Sequence, residues 1–187
     1  MEQENNILEK KISPAKSATS YGIVFGSIMI LEFVLMYVLK PDPIKSGWVG
    51  TFTNVLNFCI LPIIFISLGC NNYKKNINGG YISFSQCLKL GVSITVLAAF
   101  IYSVFYFIFW LIFPEFITEF IETMKTVTVH QRPNISSEEL QMSMSIIEKT
   151  MLPYISGPLT IVMHAFLGLI WSLLVGAFVK KDNPGAL

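Results

Sequence analysis

Charge is what this sequence has least of. Only 13% of its 187 residues are Asp, Glu, Lys or Arg, against about 25% in a soluble domain. The formal net charge of +1 gives no basic field, which excludes nucleic acid as an expected partner. Histidine is scarcer still. His130 and His164 are the whole complement, too few for an imidazole-rich metal site. The cysteines, Cys59, Cys70 and Cys87, contain no CxxC pair, so neither a disulfide framework nor a zinc site is indicated, and they read as small apolar residues. No Ser-His-Asp, Cys-His or paired-carboxylate grouping is visible. Gly79-Gly80 lacks the Gly-Lys-Ser/Thr of a phosphate loop and follows no strand, so it reads as a tight turn. No catalytic, cofactor-binding or metal-binding residue is assigned, and the reading favours a protein that is not an enzyme.

What is present is apolar. Hydrophobic residues make up 53% of the chain, the mean hydropathy is +0.60, and there are 15 Phe, 7 Tyr and 3 Trp. A helix needs roughly 20 mostly apolar residues to cross the hydrocarbon core. Four stretches qualify: about 18–39, 48–68, 84–113 and 154–179. The first stops at Lys40-Pro41-Asp42-Pro43, where prolines cannot continue a helix. It is preceded by a polar stretch, exceeds the apolar core of a signal peptide, and is followed by no A-x-A-like site, so it is retained as a span. Pro62 is expected to kink the second span. The fold class is therefore all-α, a polytopic transmembrane four-helix bundle forming a single membrane domain, with the lipid bilayer as its first partner.

Lysine and arginine set the orientation. With the N-terminus inside, Lys10, Lys11, Lys16, Lys74, Lys75, Lys89, Lys180 and Lys181 are cytoplasmic, and Lys40, Lys45, Lys125, Arg132 and Lys149 lie outside. The majority falls inside, which puts both termini in the cytoplasm. The outer segment 114–153 reads as an extracytoplasmic hairpin of two amphipathic helices meeting at Arg132-Pro133-Asn134. Phe116, Phe120, Ile121 and Met124 share one face of the first helix. Ser136 and Glu139 have capping-box spacing at the start of the second, and Leu140, Met144, Ile147 and Met151 follow at helical intervals. This pair reads either as a cap on the bundle or headgroups or as a partner-binding arm.

Ser13-Pro14-Ala15-Lys16 leading into Tyr21-Gly22, the loop Gly79-Gly80-Tyr81-Ile82-Ser83-Phe84, and the end Val175-Gly176-Ala177-Phe178-Val179-Lys180-Lys181 together resemble the domain-of-unknown-function 4199 family. These are small four-span membrane proteins found mainly in Bacteroidota. The resemblance covers nearly the whole chain and implies a bacterial inner-membrane location. It brings no activity and no catalytic residues. In a bacterial source Asn134-Ile135-Ser136 is an accidental sequon.

Ionisable groups within spans are candidate functional residues by default. Glu32 lies about 12 Å from the outer end of its span, Asn57 about 13 Å and His164 about 15 Å, at 1.5 Å per residue. Tyr102, Ser103 and Tyr106 of the third span reach comparable depth. A buried polar cluster of Glu32, Asn57, His164 and Tyr106 is therefore expected, centred on Glu32. It serves as a proton-sensitive or transport site, as a structural hydrogen-bond clamp, or as a contact to another subunit. Gly22 and Gly26, and Gly168, Ser172 and Gly176, form small-residue stripes that permit close helix packing, within one chain or between chains; Gly91 with Thr95 is a weaker case. Three functions stay open. The preferred one is a non-enzymatic accessory or structural subunit in a membrane or envelope process, with a membrane-protein partner or as a homo-oligomer. The others are an oligomeric channel or transporter using Glu32 and His164, and a membrane-embedded enzyme on a lipid-linked substrate.

Overall fold

The computed structural model describes residues 13–183; Lys10 and Lys11, used above for orientation, lie outside them. Four helices are long and apolar enough to cross a membrane: Thr19–Leu39, Gly47–Ile77, Phe84–Ile112 and Pro153–Val179. Their most apolar windows have mean hydropathies of 1.9 to 2.2, yet only 22% to 33% of each window is buried inside the protein. The rest is apolar surface such as Leu31, Phe107, Val162 and Phe166. Water tolerates no exposed apolar patch on that scale, so the surrounding medium is lipid.

Ser13 accepts from Lys16 N–H with Pro14 at the first position, starting a short helix α1 (Pro14–Ser17). The first span, α2 (Thr19–Leu39), follows it and ends where Lys40 turns left-handed with φ 40° ahead of Pro41. The second span consists of α3 (Gly47–Val55), a wide π-helical turn over Leu56–Ile60, and α4 (Leu61–Asn72). A second wide turn carries it on to Ile77, past the Leu68 expected as its end. The polar run Asn71 to Lys75 stays helical because Tyr73 is buried and Lys74 Nζ reaches Val179 O at 2.8 Å. A lysine stem lies along apolar surface while its ammonium finds a polar partner. The irregular turn immediately precedes Pro62, which stands in the first turn of α4.

The third span, α5 (Phe84–Ile112), opens on a capping box formed by Ser83 and Gln86. Gly79 and Gly80, at φ 62° and 89°, make the preceding turn in a region where side chains are disfavoured. Helix α5 is the hub. Leu90, Ile94, Thr95, Ala98 and Ala99 are each 0% exposed, and the fourth span, α8 (Pro153–Val179), makes its broadest packing against it. The small-residue stripes explain how. A Cβ on Gly22 would lie 2.9 Å from Leu97 Cβ, and one on Gly26 2.9 Å from Ala98 O. On α8, Gly168 faces Thr95, Ser172 faces Gly91, and Gly176 faces Phe84 and Cys87, an antiparallel register stepping one turn at a time. Gly69 of α4 lies against Leu90 and Ile94 of α5. Both stripes therefore join helices within the chain, and both converge on one helix. Lipid supplies no hydrophobic drive between helices, so close backbone approach and dispersion do this work. Phe25 stacks on Phe65 at 5.4 Å to close the α2–α4 side.

Between the third and fourth spans lie α6 (Phe116–Gln131) and α7 (Ser137–Met151). They pack on each other through Ile117, Ile121 and Met144, with Met124, Leu140, Ile147 and Met151 around them. Ile117, which the facial pattern omitted, is among the buried residues, while Phe116 turns toward the spans. Its ring meets Phe33 at 5.5 Å and Phe109 at 5.4 Å, and Lys40 pairs with Glu119 at 2.7 Å. Glu119 raises the Lys40 ammonium above the usual lysine range, through its hydrogen bond and its charge. The α6–α7 pair thus rests on the ends of α2 and α5.

Candidate functional site

The four residues expected to form one polar layer are divided among three places. Glu32 and Asn57 do meet: Asn57 Nδ2 donates to Glu32 Oε2 and to Thr53 O at 3.1 Å. Both side chains are half-buried. The pair sits where α2 runs beside the first half of the second span, and no residue of α3 is buried. Asn57 Oδ1 is buried without a hydrogen-bond partner. An ionised Glu32 can only accept, whereas the neutral acid carries one donor and avoids the cost of a lone charge in lipid.

His164 does not join them, which corrects the expected pairing. Its Nδ1 lies 2.9 Å from Thr160 O, one turn back on α8. A carbonyl only accepts, so Nδ1 carries the proton and donates. Nε2 is buried with no partner, and the ring lies between Phe25 and Phe58, with centroids at 6.3 and 5.6 Å. The reason is rotational. His164 belongs to the same i, i+4 stripe as Gly168 and Ser172, which turns inward. Glu32 is one position before Phe33, whose ring packs on α5, and one position is about 100° around a helix. The levels differ as well, because His164 meets Phe25, seven positions before Glu32 on α2 and about 10 Å away at 1.5 Å per residue.

Tyr106 lies in the third place. Its hydroxyl donates to Met151 O at 3.0 Å, tying α5 to the end of α7, and its ring stacks on Tyr102 at 6.3 Å. Ser103, one turn before Phe107, donates to Ala99 O at 2.7 Å and reaches Gly157 O at 3.3 Å. These groups line a cavity under α6 and α7. Among the described residues, no group of three or more His, Cys, Asp or Glu is placed to hold a metal ion.

One polar contact inside the bundle was missed in the sequence. Trp171 Nε1 donates to Phe58 O at 2.7 Å. Phe58 is four residues before Pro62, and proline has no N–H to give that carbonyl its helical bond. An indole from the facing span takes the place. A proline inside a span, opposite a tryptophan on another, is a readable signal for such a bond. Ser156, whose buried Oγ has no partner, had no signal of its own.

The motifs carrying the family resemblance meet at the end of the bundle away from α6 and α7. Ile82 and Lys181 exchange both backbone hydrogen bonds, at 3.0 and 2.9 Å. Lys181 Nζ lies 5.4 Å from the Tyr81 ring centre. Lys74 caps the last turn of α8 at Val179 O, placing a cation at the negative end of a helix dipole. The α1 turn packs beside α5 at the same end, so the loop, the C-terminal motif and the N-terminal turn form one closed knot. Comparison with curated proteins and with solved structures finds no match. Residues 20–181 match the family described as "Protein of unknown function (DUF4199)", and with most of its length covered the chain belongs to that family.

Proposed function

We propose that this protein is a non-enzymatic accessory or structural subunit of a membrane or envelope process. On this reading it sits in a bacterial cytoplasmic membrane with both termini inside and α6–α7 outside as a hairpin. The filled interior carries the proposal. Phe25, Ile66, Leu90, Ile94, Thr95, Ala98 and Ser172 are each 0% exposed at the meeting of the spans, and glycine stripes bring the backbones together there. Such packing supports a solid scaffold over a hydrated path. Lys16, Lys74, Lys75, Lys180 and Lys181 belong to the end of the bundle carrying the Ile82–Lys181 bridge, the end that the positive-inside rule makes cytoplasmic. On the flank, the Glu32–Asn57 pair lies among exposed Leu31, Leu35, Phe52 and Val55, a polar handle in an apolar face for a partner helix.

The test places a photo-crosslinking residue at Leu35, with Phe166 as the control elsewhere on the lipid-facing surface. The expected result is a stoichiometric adduct to another membrane protein from Leu35, absent from Phe166 and lost with Glu32→Ala. Lipid adducts alone from both positions would overturn the accessory reading, and an adduct to a second copy of the chain would overturn a foreign partner at this face.

A further inference from the structure

A cavity of about 240 Å³ lies where α2, α5 and α8 meet the underside of α6 and α7. Phe33, Phe116 and Phe120 supply apolar walls, and Tyr102, Ser156 and Gly157 face the same space. The hydroxyls of Ser103 and Tyr106 are occupied by backbone carbonyls. Ser156 Oγ is buried with no partner, and the Tyr102 hydroxyl makes no hydrogen bond among the described residues. Thr160 lines the same space and its hydroxyl makes no hydrogen bond among the described residues, so three free donors border one mostly apolar space.

Depth and charge narrow the occupant. Ser156 and Gly157 lie about 5 Å in from the start of α8, and Tyr102 about 15 Å in from the end of α5, at 1.5 Å per residue. The cavity therefore begins near the boundary of hydrocarbon and headgroups. Its lining includes no Asp, Glu, Lys, Arg or His, so a phosphate or ammonium headgroup would enter without a counter-charge, at high cost. The volume is below the roughly 300–1,000 Å³ of a site for a drug-sized molecule, and suits a fragment rather than a whole lipid. An apolar fragment with a hydrogen-bond acceptor meets every condition.

We propose that this cavity binds the carbonyl-bearing segment of an uncharged lipid portion, seated against Tyr102 and Ser156 between the phenylalanine walls. Two membrane sources share that chemistry: the ester linkage of a glycerolipid and the ring carbonyl of a quinone. The experiment measures thermal unfolding of the delipidated full chain in mild detergent. It titrates a short-chain diester phosphatidylcholine, its diether analogue, and a short-chain alkyl benzoquinone. A ligand that binds only the folded state raises the melting temperature saturably.

The expected result is saturable stabilisation by the diester or by the quinone, with the diether at least several-fold weaker; whichever carbonyl probe binds more tightly identifies the source. Gly157→Leu fills the cavity and lowers affinity at least about tenfold, whereas Ser156→Ala removes one hydrogen bond and lowers it about 2- to 10-fold. Gly157→Ala binds as the parent does, because its Cβ would sit 3.6 Å from Ser103 Cβ, an ordinary contact. Equal binding of diester and diether with no quinone binding, no saturable shift from either carbonyl probe, or undiminished affinity in Gly157→Leu would each overturn the proposal. The diester–diether comparison on the unaltered chain decides the matter even if Gly157→Leu fails to fold.

Discussion

The seam between α5 and α8 offers the sharpest test of how this fold is held. Gly91 faces Ser172, and a Cβ added at Gly91 would overlap Ser172 Oγ and lie 3.0 Å from both Ser172 Cβ and Ile66 Cγ2. Ser172 and Ile66 are each 0% exposed, and Gly91 and Ser172 both stand in unbroken helices, so neither backbone can yield locally. Rotating the serine hydroxyl away still leaves the two Cβ atoms too close. Overpacking of this kind costs about 1–3 kcal/mol. For a chain of this size each kcal/mol shifts the midpoint by about 2–4 °C, so Gly91→Ala should lower the melting temperature in mild detergent by about 2–12 °C. The reciprocal change, Ser172→Gly, removes the colliding Cβ, and its hydroxyl has no hydrogen bond to lose. Its own cost is that of a helix-interior glycine, about 1 kcal/mol. Combined, the new methyl occupies the vacated space, and the double variant should be more stable than the sum of the singles by at least about 1 kcal/mol. The packing argument fails if Gly91→Ala melts within about 1 °C of the parent, or if the two effects simply add.

Further perturbations separate the polar contacts of the spans. Glu32→Ala and Asn57→Ala should each cost about 0.6–2 kcal/mol and combine non-additively, because they remove the same bond; Glu32→Gln and His164→Ala should add in thermal unfolding, since His164 bonds Thr160 instead, and a coupling above about 0.5 kcal/mol would contradict the separation. Trp171→Phe should destabilise by about 1–3 kcal/mol by leaving Phe58 O unpaired, and adding Pro62→Ala, which restores a backbone N–H in α4, should recover part of that loss. No recovery in chemical unfolding of the double variant would show that the indole bond does not stand in for the missing helical one.

The four spans were legible because crossing lipid demands about 20 consecutive apolar residues, a condition that local sequence meets or fails by itself. The α6–α7 helices were legible for a related reason: a 3.6-residue period and a serine cap are local signals, and Ser136 does accept from Glu139 N–H at 3.1 Å. The helix of the second span runs on past Leu68 through Asn71 to Lys75, a stretch of loop-like composition, and what keeps it helical is a lysine bonded to a carbonyl 105 positions away.

The candidate site was only half readable. Sequence spacing counts residues from a helix end, and that did not bring the four to one level: His164 meets Phe25 and Tyr106 meets Phe33, eight positions apart on α2. Nor does spacing fix the rotation of one helix against another, and that decides which side chains meet. Here the rotation is set by Gly22 and Gly26 on one side and by Gly168, Ser172 and Gly176 on the other, all seated on α5. That seating points His164 inward and leaves Glu32 on the flank with Asn57. Membrane insertion and helix ends follow from each segment's own chemistry, whereas partners across the bundle depend on close contacts between segments far apart in the chain.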